Sequence, residues 1–176
     1  MKVSRFLDTK RPDSYFTTLP SPLGEILLAG DGEALTRLSF EAADGTHDVP
    51  DGSVRDEGAF RTVVRELEAY FGGGLHSFSA QLAPGGTAFE RQVWEHLKEI
   101  PWGTTESYGD VASAIGHRGA AWAVGLANGR NPIAIIVPCH RVVGRDGSLT
   151  GYGGGIGRKR WLLDHERGLF SMPLRP

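Results

Sequence analysis

Short apolar runs separated by turn residues mark the N-terminal part of the chain. The stretch SYFTTLPSPLGEILLAGDGEALTRLSFE contains the runs EILLA and LTRLSF, and Pro-Leu-Gly and Gly-Asp-Gly stand shortly before them. This punctuation is typical of β-hairpins. The next segment, EAADGTHDVPDGS, is polar and rich in turn residues, so we predict a loop. The N-terminal part is therefore expected to be rich in β-strands.

The hydrophobic period changes at Ala59. From Ala59 to Phe71, apolar residues recur three or four positions apart, which predicts an amphipathic helix. Its apolar face consists of Phe60, Val63, Val64, Leu67 and Phe71. The triple glycine that follows is expected to end this helix.

A turn-rich linker, LAPGGT, leads into a second region with helical periodicity. We expect it to separate two domains, 1–84 and 85–176. The first helix of the second domain is predicted from one apolar face and ends at Pro101-Trp102-Gly103. That face consists of Phe89, Val93, Trp94, Leu97 and Ile100.

Two short helices joined by the turn GHRG resemble a helix-turn-helix. The first is predicted over Tyr108–Ile115 and the second over about Ala120–Asn128. The second helix, AAWAVGLAN, has few long polar side chains with which to read base edges in a major groove. Its small residues could serve packing against a neighbouring helix or close approach to a DNA minor groove, and the sequence leaves both open.

The last third of the chain combines a short apolar run, a glycine-rich loop and a final helix. Ile133–Val137 is predicted to be a short buried strand or extended run, and RDGSLTGYGGGIG to be a loop. Arg158–Glu166 is predicted to be helical. Strands followed by helices indicate an α+β fold.

Composition is that of an ordinary globular protein. The 176 residues are 40% hydrophobic and 23% charged, and there is no run of 18 apolar residues that could span a membrane. The start, MKVSRFLDTKRPDSYF, has no apolar signal segment. A single cysteine excludes an internal disulfide and agrees with a reducing compartment. We therefore expect a cytoplasmic protein that does not enter membranes.

The charge is unevenly distributed along the chain, although the net charge is only −2. Residues 118–176 carry nine Lys/Arg and three Asp/Glu, whereas residues 1–117 carry ten and eighteen. A basic C-terminal third could face an anion such as nucleic acid, or could be ordinary solvated surface.

The only cysteine, Cys139, lies in the sequence IVPCHRVVG. A lone cysteine is commonly a small buried hydrophobe. Here His140 follows directly and could accept the thiol proton, directly or through water. Glu166, in the final helix, could orient the imidazole as the third member of a triad. A nucleophilic thiol is therefore the alternative to a packing role.

Several ordered blocks resemble the O6-alkylguanine-DNA alkyltransferase family. They are PCHRV, the Asn-Pro before it, GYGGG and RKRWLLDHE after it, TAFERQVWEHLKEIPWGTTESYGDVASAIG and PLGEILLAGDGEALTRLSF. The resemblance covers most of the chain from Pro20 to Glu166. It implies a small N-terminal ribonuclease-H-like, β-rich domain followed by a mostly helical C-terminal domain that contains the helix-turn-helix.

The resemblance also implies the reaction and the roles of five residues. An alkyl group, typically methyl, would move once and irreversibly from O6-alkylguanine, and also from O4-alkylthymine, in duplex DNA to Cys139. His140 would be the water-linked base and Glu166 the group that orients it. Asn131 would brace the turn that carries the cysteine, and Tyr108 would donate a proton or hydrogen bond to the base. No cofactor and no metal are implied.

The remaining residues carried over from the resemblance would bind the base and the duplex. A flipped base would lie against Val142, Tyr152 and Gly153. The helix-turn-helix would bind double-stranded DNA through its minor groove, with no base-specific contacts. Its contact residues would be Trp122, Ala121, Ala123, Gly125, Ala127, Arg118 and Arg130. We expect a monomer, and cooperative binding along DNA stays open.

One position departs from the family pattern. Trp122 stands where the family usually has an arginine that fills the space left by the flipped base. An indole lacks the charge and hydrogen bonds of a guanidinium, but it can wedge between bases. Two alternatives therefore remain: Trp122 enters the base stack, or it packs on the protein.

Two rival functions were considered. A cysteine hydrolase would need an oxyanion hole, for which the sequence shows no separate signal. A non-catalytic protein that binds alkyl lesions would have the same fold, but the presence of Cys139 argues against it. The six histidines show no zinc-ligand spacing, and GYGGGIGRK fits neither a P-loop nor a dinucleotide motif.

Overall fold

The computed structural model describes Phe6 and residues 15–170. The outer parts of the two predicted domains, at 1–5, 7–14 and 171–176, lie outside the described residues. Residues 83–87, around the predicted domain boundary, form neither helix nor strand.

The N-terminal part contains a four-stranded sheet. The strands are β1 (Tyr15–Ser21), β2 (Gly24–Gly30), β3 (Leu35–Phe40) and β4 (Val54–Arg55), in the order β3-β2-β1-β4. The first three are joined by tight turns and pair antiparallel, whereas β4 pairs parallel to β1. The predicted hairpins and the loop between β3 and β4 are therefore confirmed.

Helix α1 (Arg61–Phe71), which a 3₁₀ turn at Gly58–Phe60 precedes, contributes to the same core. Its buried face has the predicted spacing, with Val63, Leu67 and Phe71 inside. Tyr70, which the apolar pattern did not include, is also fully buried.

Three helices and a short sheet form most of the C-terminal part. Helix α2 (Ala88–Leu97) and helix α3 (Tyr108–Ala114) both begin at capping boxes, in which the side chain before the helix and an acidic residue three positions later bond each other's backbone N–H. Helix α4 (Ala121–Gly129) packs against both of them. Strands β5 (Glu106–Ser107) and β6 (Val142–Val143) pair parallel.

Helix α5 (Ile156–Glu166) is the last element of the described residues. It begins two residues before the predicted start and ends where predicted. Its buried residues include the polar Lys159, His165 and Glu166. This helix therefore contributes ionisable side chains to the core as well as apolar packing.

The segment before Cys139 is not a strand, which corrects one of the two predicted forms of Ile133–Val137. It consists of turns, and Ile135 has a φ of 68°, a conformation that β-branched residues rarely adopt. The segment nevertheless pairs briefly with the outer edge of β3. Leu38 donates its N–H to the Pro132 carbonyl at 2.9 Å and accepts the Ala134 N–H at 2.9 Å. The N-terminal sheet is thereby attached to the chain that leads to Cys139.

Within the described residues, no helix is both long enough and apolar enough to cross a lipid bilayer.

Candidate active site

Cys139 begins a 3₁₀ turn, Cys139–Arg141, directly after Pro138. The residue before a proline avoids helical conformation, and here the 3₁₀ turn begins only after Pro138. The Cys139 N–H donates to the Val137 carbonyl at 2.8 Å. Only 5% of Cys139 is exposed, so the thiol lies at the bottom of a depression rather than on the surface.

Asn131 holds the segment that leads to the cysteine. Its side-chain amide donates to the carbonyls of Val137 at 2.8 Å and Ile133 at 3.3 Å. Its side-chain oxygen accepts the Ile133 N–H at 3.0 Å. A single carboxamide therefore bonds three backbone groups of the segment that leads to Cys139.

Glu166 binds the imidazole of His140 in the interior. His140 Nε2 lies 2.7 Å from Glu166 Oε1, and both side chains are fully buried. The same carboxylate accepts the Tyr70 hydroxyl at 2.8 Å and two hydrogen bonds from the Arg141 guanidinium, at 2.8 and 2.9 Å. The Gly103 N–H completes the set at 3.2 Å.

The protonation states follow from this network. Burial alone would raise the pKa of Glu166, but hydrogen bonds from His140 and Arg141 outweigh it and hold this pKa far below its usual range. Burial lowers the pKa of His140, although Glu166 opposes that change. At neutral pH the pair is therefore an ionised carboxylate and a neutral imidazole. The imidazole proton lies on Nε2, which leaves Nδ1 as a proton acceptor.

The second ring nitrogen of His140 is available. Nδ1 is buried and has no hydrogen-bond partner among the described residues. An acceptor next to the nucleophile in sequence, whose other nitrogen is fixed by a carboxylate, has the arrangement of a nucleophile–base–orienting triad.

Two nearby groups act on the thiol of Cys139. Burial raises its pKa, while the Asn131 amide and the Lys159 ammonium lower it without cancelling the effect of burial. Lys159 is itself fully buried and donates to the carbonyls of Val142 at 2.5 Å and Thr150 at 2.9 Å. Its charge is thus fixed close to the sulfur.

Tyr108 is the first residue of α3 and reaches the glycine-rich loop. Its hydroxyl donates to the Thr150 carbonyl at 2.9 Å and lies 3.5 Å from the Lys159 ammonium. Burial raises the pKa of Tyr108, so its hydroxyl keeps its proton at neutral pH.

A cavity of about 710 Å³ reaches Cys139. Tyr152 and Gly153, two of the three predicted base-pocket residues, line it, together with Asn128 and Asn131. Val142, the third, is fully buried and lies outside this lining, as does Tyr108. The cavity continues from Cys139 to β3 and the loop that follows it. Its volume lies within the range of pockets that bind small molecules.

Helix α4 presents an exposed face of small residues around one large aromatic side chain. Trp122 is 78% exposed, which excludes the alternative in which it packs on the protein. Ala121, Ala123 and Gly125 are partly exposed beside it. Ala127 is only 2% exposed, and its carbonyl accepts the Trp94 indole N–H at 2.8 Å. This corrects its grouping with the DNA contacts, because it lies behind the exposed face.

Arg118 and Arg130 flank this helix and differ in their surroundings. Arg118 is exposed in the turn before α4. Arg130, at the end of α4, is also exposed but forms an ion pair with Glu90 at 3.1 Å. If Arg130 contacts a phosphate, its guanidinium therefore binds the phosphate and Glu90 at the same time.

Sequence reasoning missed several residues of the site. Arg141 lies inside the recognised PCHRV block, but nothing in the sequence indicated that it would bind Glu166. Tyr70 lies between apolar positions of α1 and does not belong to the apolar face that predicts this helix. Lys159 stands in a basic run, RKR, that looks like solvated surface. Gly103 was assigned to a helix end, yet its φ of 74° and its approach to Glu166, where a Cβ would lie 3.0 Å from the backbone oxygen, require glycine.

Among the residues that the structure describes, no group of three or more His, Cys, Asp or Glu side chains could hold a metal ion.

Two family models match the chain. The model described as "6-O-methylguanine DNA methyltransferase, ribonuclease-like domain" matches residues 14–84. The model described as "6-O-methylguanine DNA methyltransferase, DNA binding domain" matches residues 88–168. Together they cover most of the chain.

Curated relatives and solved structures agree with the family models. The chain is 53% identical over 152 residues to a methylated-DNA–protein-cysteine methyltransferase of Methanosarcina acetivorans, covering 86% of this chain and 97% of that protein. The Mycobacterium tuberculosis protein of the same name is 52% identical over 158 residues, covering 87% and 92%. The crystal structure of Mycobacterium tuberculosis OGT in complex with DNA superposes with a TM-score of 0.82 at 51% identity, covering 88% and 93%.

Proposed function

The chain belongs to the 6-O-methylguanine DNA methyltransferase family, and on that premise we propose how its own residues carry out the reaction. It binds DNA and repairs it by transferring an alkyl group to a cysteine of the protein, as a methylated-DNA–protein-cysteine methyltransferase. Cys139 is the only cysteine in the chain. It is therefore the alkyl acceptor, and each molecule can react once.

The transfer is a displacement at carbon. The Cys139 thiol gives its proton, through water, to Nδ1 of His140, and the sulfur attacks the carbon bound to guanine O6. A C–S bond forms as the C–O6 bond breaks, and the electron pair of that bond passes to the purine. The purine takes at N1 the proton that His140 had received, so that guanine is restored and His140 returns to its neutral form. Glu166 stabilises the imidazolium in the interval because it stays ionised.

Tyr108 and Lys159 act on charge that develops during this step. The Tyr108 hydroxyl exchanges its bond to the Thr150 carbonyl for one to the base and stabilises the departing purine. The Lys159 ammonium stabilises the thiolate before the attack. The effect of Lys159 is strengthened because its side chain is buried, whereas Tyr108 is half-buried.

The lesion reaches Cys139 only if the base leaves the duplex. The target carbon is stacked inside the helix, and extrusion costs a few kcal/mol. We place the exposed face of α4 in the minor groove, where Ala121, Ala123 and Gly125 allow the backbone to approach closely. Arg118 and Arg130 contact phosphates on either side. The cavity between Cys139, Tyr152 and Gly153 receives the base.

Trp122 fills the gap that the extruded base leaves. Its indole stands free of the protein surface in the middle of this face, and it can stack between the neighbouring base pairs. Such a wedge does not depend on the identity of the unpaired base opposite. We expect O4-alkylthymine to be accepted for the same reason, in addition to O6-alkylguanine.

The complete site is contained in one chain, so we propose that the protein acts as a monomer. We also propose a cytoplasmic location, because the lone thiol must stay reduced to react.

The observation that carries this mechanism is the neutral His140, fixed by Glu166 with Nδ1 unpaired, directly after a buried thiol in a cavity wall. The test is the intact mass of the protein after incubation with duplex DNA that contains one O6-methylguanine. One methyl group should be gained, on the peptide that contains Cys139, and excess substrate should add no second one. The Cys139→Ser variant should bind the same duplex and gain nothing.

Other outcomes would identify the rival functions. Binding without a mass change would indicate a lesion-binding protein. Repeated turnover with return to the starting mass would indicate a hydrolase. Either result would contradict the proposed mechanism.

A further inference from the structure

Asn128 connects the helix with the exposed tryptophan to the nucleophile. It is the second-last residue of α4 and is 2% exposed. Its side-chain amide donates to the carbonyl of Cys139 at 3.2 Å, in the interior. Asn128 and Cys139 both line the cavity that would receive the base. The residue therefore touches the helix, the cysteine and the cavity at once.

The orientation of this carboxamide is fixed by Cys139. If the amide were reversed, its oxygen would face the Cys139 carbonyl, and two acceptors would repel each other. In the observed orientation, Oδ1 is buried and has no partner among the described residues. An unsatisfied buried acceptor costs stability, which an apolar side chain of the same shape would avoid. The side chain is thus suited to the bond with Cys139 rather than to the stability of the core.

The bond from Asn128 attaches the 3₁₀ turn of Cys139 to another element of the fold. The Cys139 carbonyl also accepts the Val142 N–H, which belongs to the same 3₁₀ turn and moves with it. Asn131 fixes Val137 and Ile133, which precede the turn. Asn128 is the side chain that attaches the cysteine residue itself to α4.

We propose that Asn128 is a positioning residue, which aligns the Cys139 sulfur with the alkyl carbon of a base held against α4. In-line displacement at carbon is sensitive to small errors of angle and distance. Because α4 is the element that we place on DNA, a bond from its last turn sets the nucleophile relative to the duplex. The coupling to DNA rests on the proposed function, whereas the alignment of Cys139 rests only on the bond itself.

The test compares two reactions of one thiol in the variant Asn128→Leu, which keeps the shape and removes the donor. Single-turnover methyl transfer from saturating duplex DNA should slow at least tenfold, with the dissociation constant for DNA within threefold of wild type. Alkylation of Cys139 by iodoacetamide, which needs no alignment with a bound base, should keep its rate and its pH profile. Trp94→Phe is the matched control, because it removes the other side-chain bond to the end of α4, at Ala127, and leaves Cys139 attached. It should lose stability but transfer methyl within threefold of wild type.

Three results would overturn the proposal. They are transfer within threefold of wild type in Asn128→Leu, equal slowing of both reactions, and equal slowing in Trp94→Phe. If Asn128→Leu does not fold, Asn128→Ala decides by the same criteria, since it also removes the donor and introduces no charge. A failure of the DNA placement would instead appear as unchanged DNA binding in Trp122→Ala, which leaves the Asn128 comparison intact.

Discussion

The reactivity of Cys139 depends on charges placed around one buried sulfur. Burial alone would keep the thiol protonated, which protects it from unspecific reaction. His140 offers an acceptor for the proton, and the Lys159 charge favours the anion that remains. The site therefore keeps a protonated thiol at rest and lowers the cost of its ionisation where the base will bind.

Replacement of Lys159 with Met should shift the reactivity of the thiol to higher pH. The variant loses the ammonium that lowers the Cys139 pKa while it keeps an unbranched side chain in the buried space. The measurement is the rate of iodoacetamide reaction with Cys139 as a function of pH. Lys159→Arg, which keeps the charge, is the control. An unchanged pH profile in Lys159→Met would show that Lys159 does not affect the ionisation of the Cys139 thiol.

Replacement of Trp122 with Ala should weaken binding to lesion-containing duplex DNA by about fivefold or more, since stacking of a base on an aromatic side chain contributes about 1–3 kcal/mol. Trp122→Arg should retain repair and make binding more dependent on salt, with a log–log slope steeper by about 0.9. Both follow from titrations at several salt concentrations. Val54→Ala, on the exposed edge of the N-terminal sheet, should change neither quantity.

At the scale of elements, one carboxylate joins three parts of the fold. Glu166 ends α5, and its partners lie in α1, in the 3₁₀ turn of the cysteine and in the loop after α2. The same atoms that orient His140 therefore also hold these elements together. Function and stability share this residue.

Replacement of Glu166 with Gln should lower the free energy of unfolding by about 3–5 kcal/mol, because the buried Arg141 guanidinium loses its counter-charge. Urea denaturation at pH 7.5 measures the effect. Arg160→Gln, on the exposed side of the same helix, should stay within about 0.5 kcal/mol of wild type. A loss below 1 kcal/mol in Glu166→Gln would show that the network contributes little to folding.

The elements differ in how far the sequence determined them. Helices α1 and α2 could be predicted because their apolar residues recur with helical spacing, and α2 and α3 begin at clear capping signals, such as Ser107 with Asp110. Ile133–Val137 could not, since its apolar run hides a turn held by a side chain, Asn131. In the site, the pairing of His140 with Glu166 was expected from the family resemblance. Arg141 and Tyr70 were not, because contacts between distant parts of the chain leave no local pattern.

For the whole molecule, acid should reduce stability in two stages. The unfolded chain binds a proton at His140 below about pH 6.5, whereas the folded imidazole resists it because burial lowers its pKa. Below about pH 5 the unfolded chain also protonates Glu166, whose folded pKa is held much lower. In both pH ranges the unfolded state binds more protons than the folded state. The free energy of unfolding therefore decreases as pH falls.

The measurement is the urea midpoint at pH 7.5, 6.0 and 5.0. The midpoint of the wild-type protein should fall at each step. In His140→Asn the fall between pH 7.5 and 6.0 should be smaller. A midpoint that stayed constant or rose between pH 7.5 and 5.0 would contradict the assignment of a neutral imidazole.

The short pairing between Leu38 and the segment at Pro132–Ala134 has a consequence that we expect after alkylation of Cys139. A carbon added to the Cys139 sulfur takes up space beside the 3₁₀ turn Cys139–Arg141, which closely follows the segment that covers β3. If this segment shifts, the edge of β3 at Leu38 loses its partner. Its unpaired backbone N–H and C=O groups can then pair with another strand. Repair would then leave the alkylated protein with an exposed strand edge. Proteolysis or aggregation at that edge could distinguish alkylated molecules from unreacted ones.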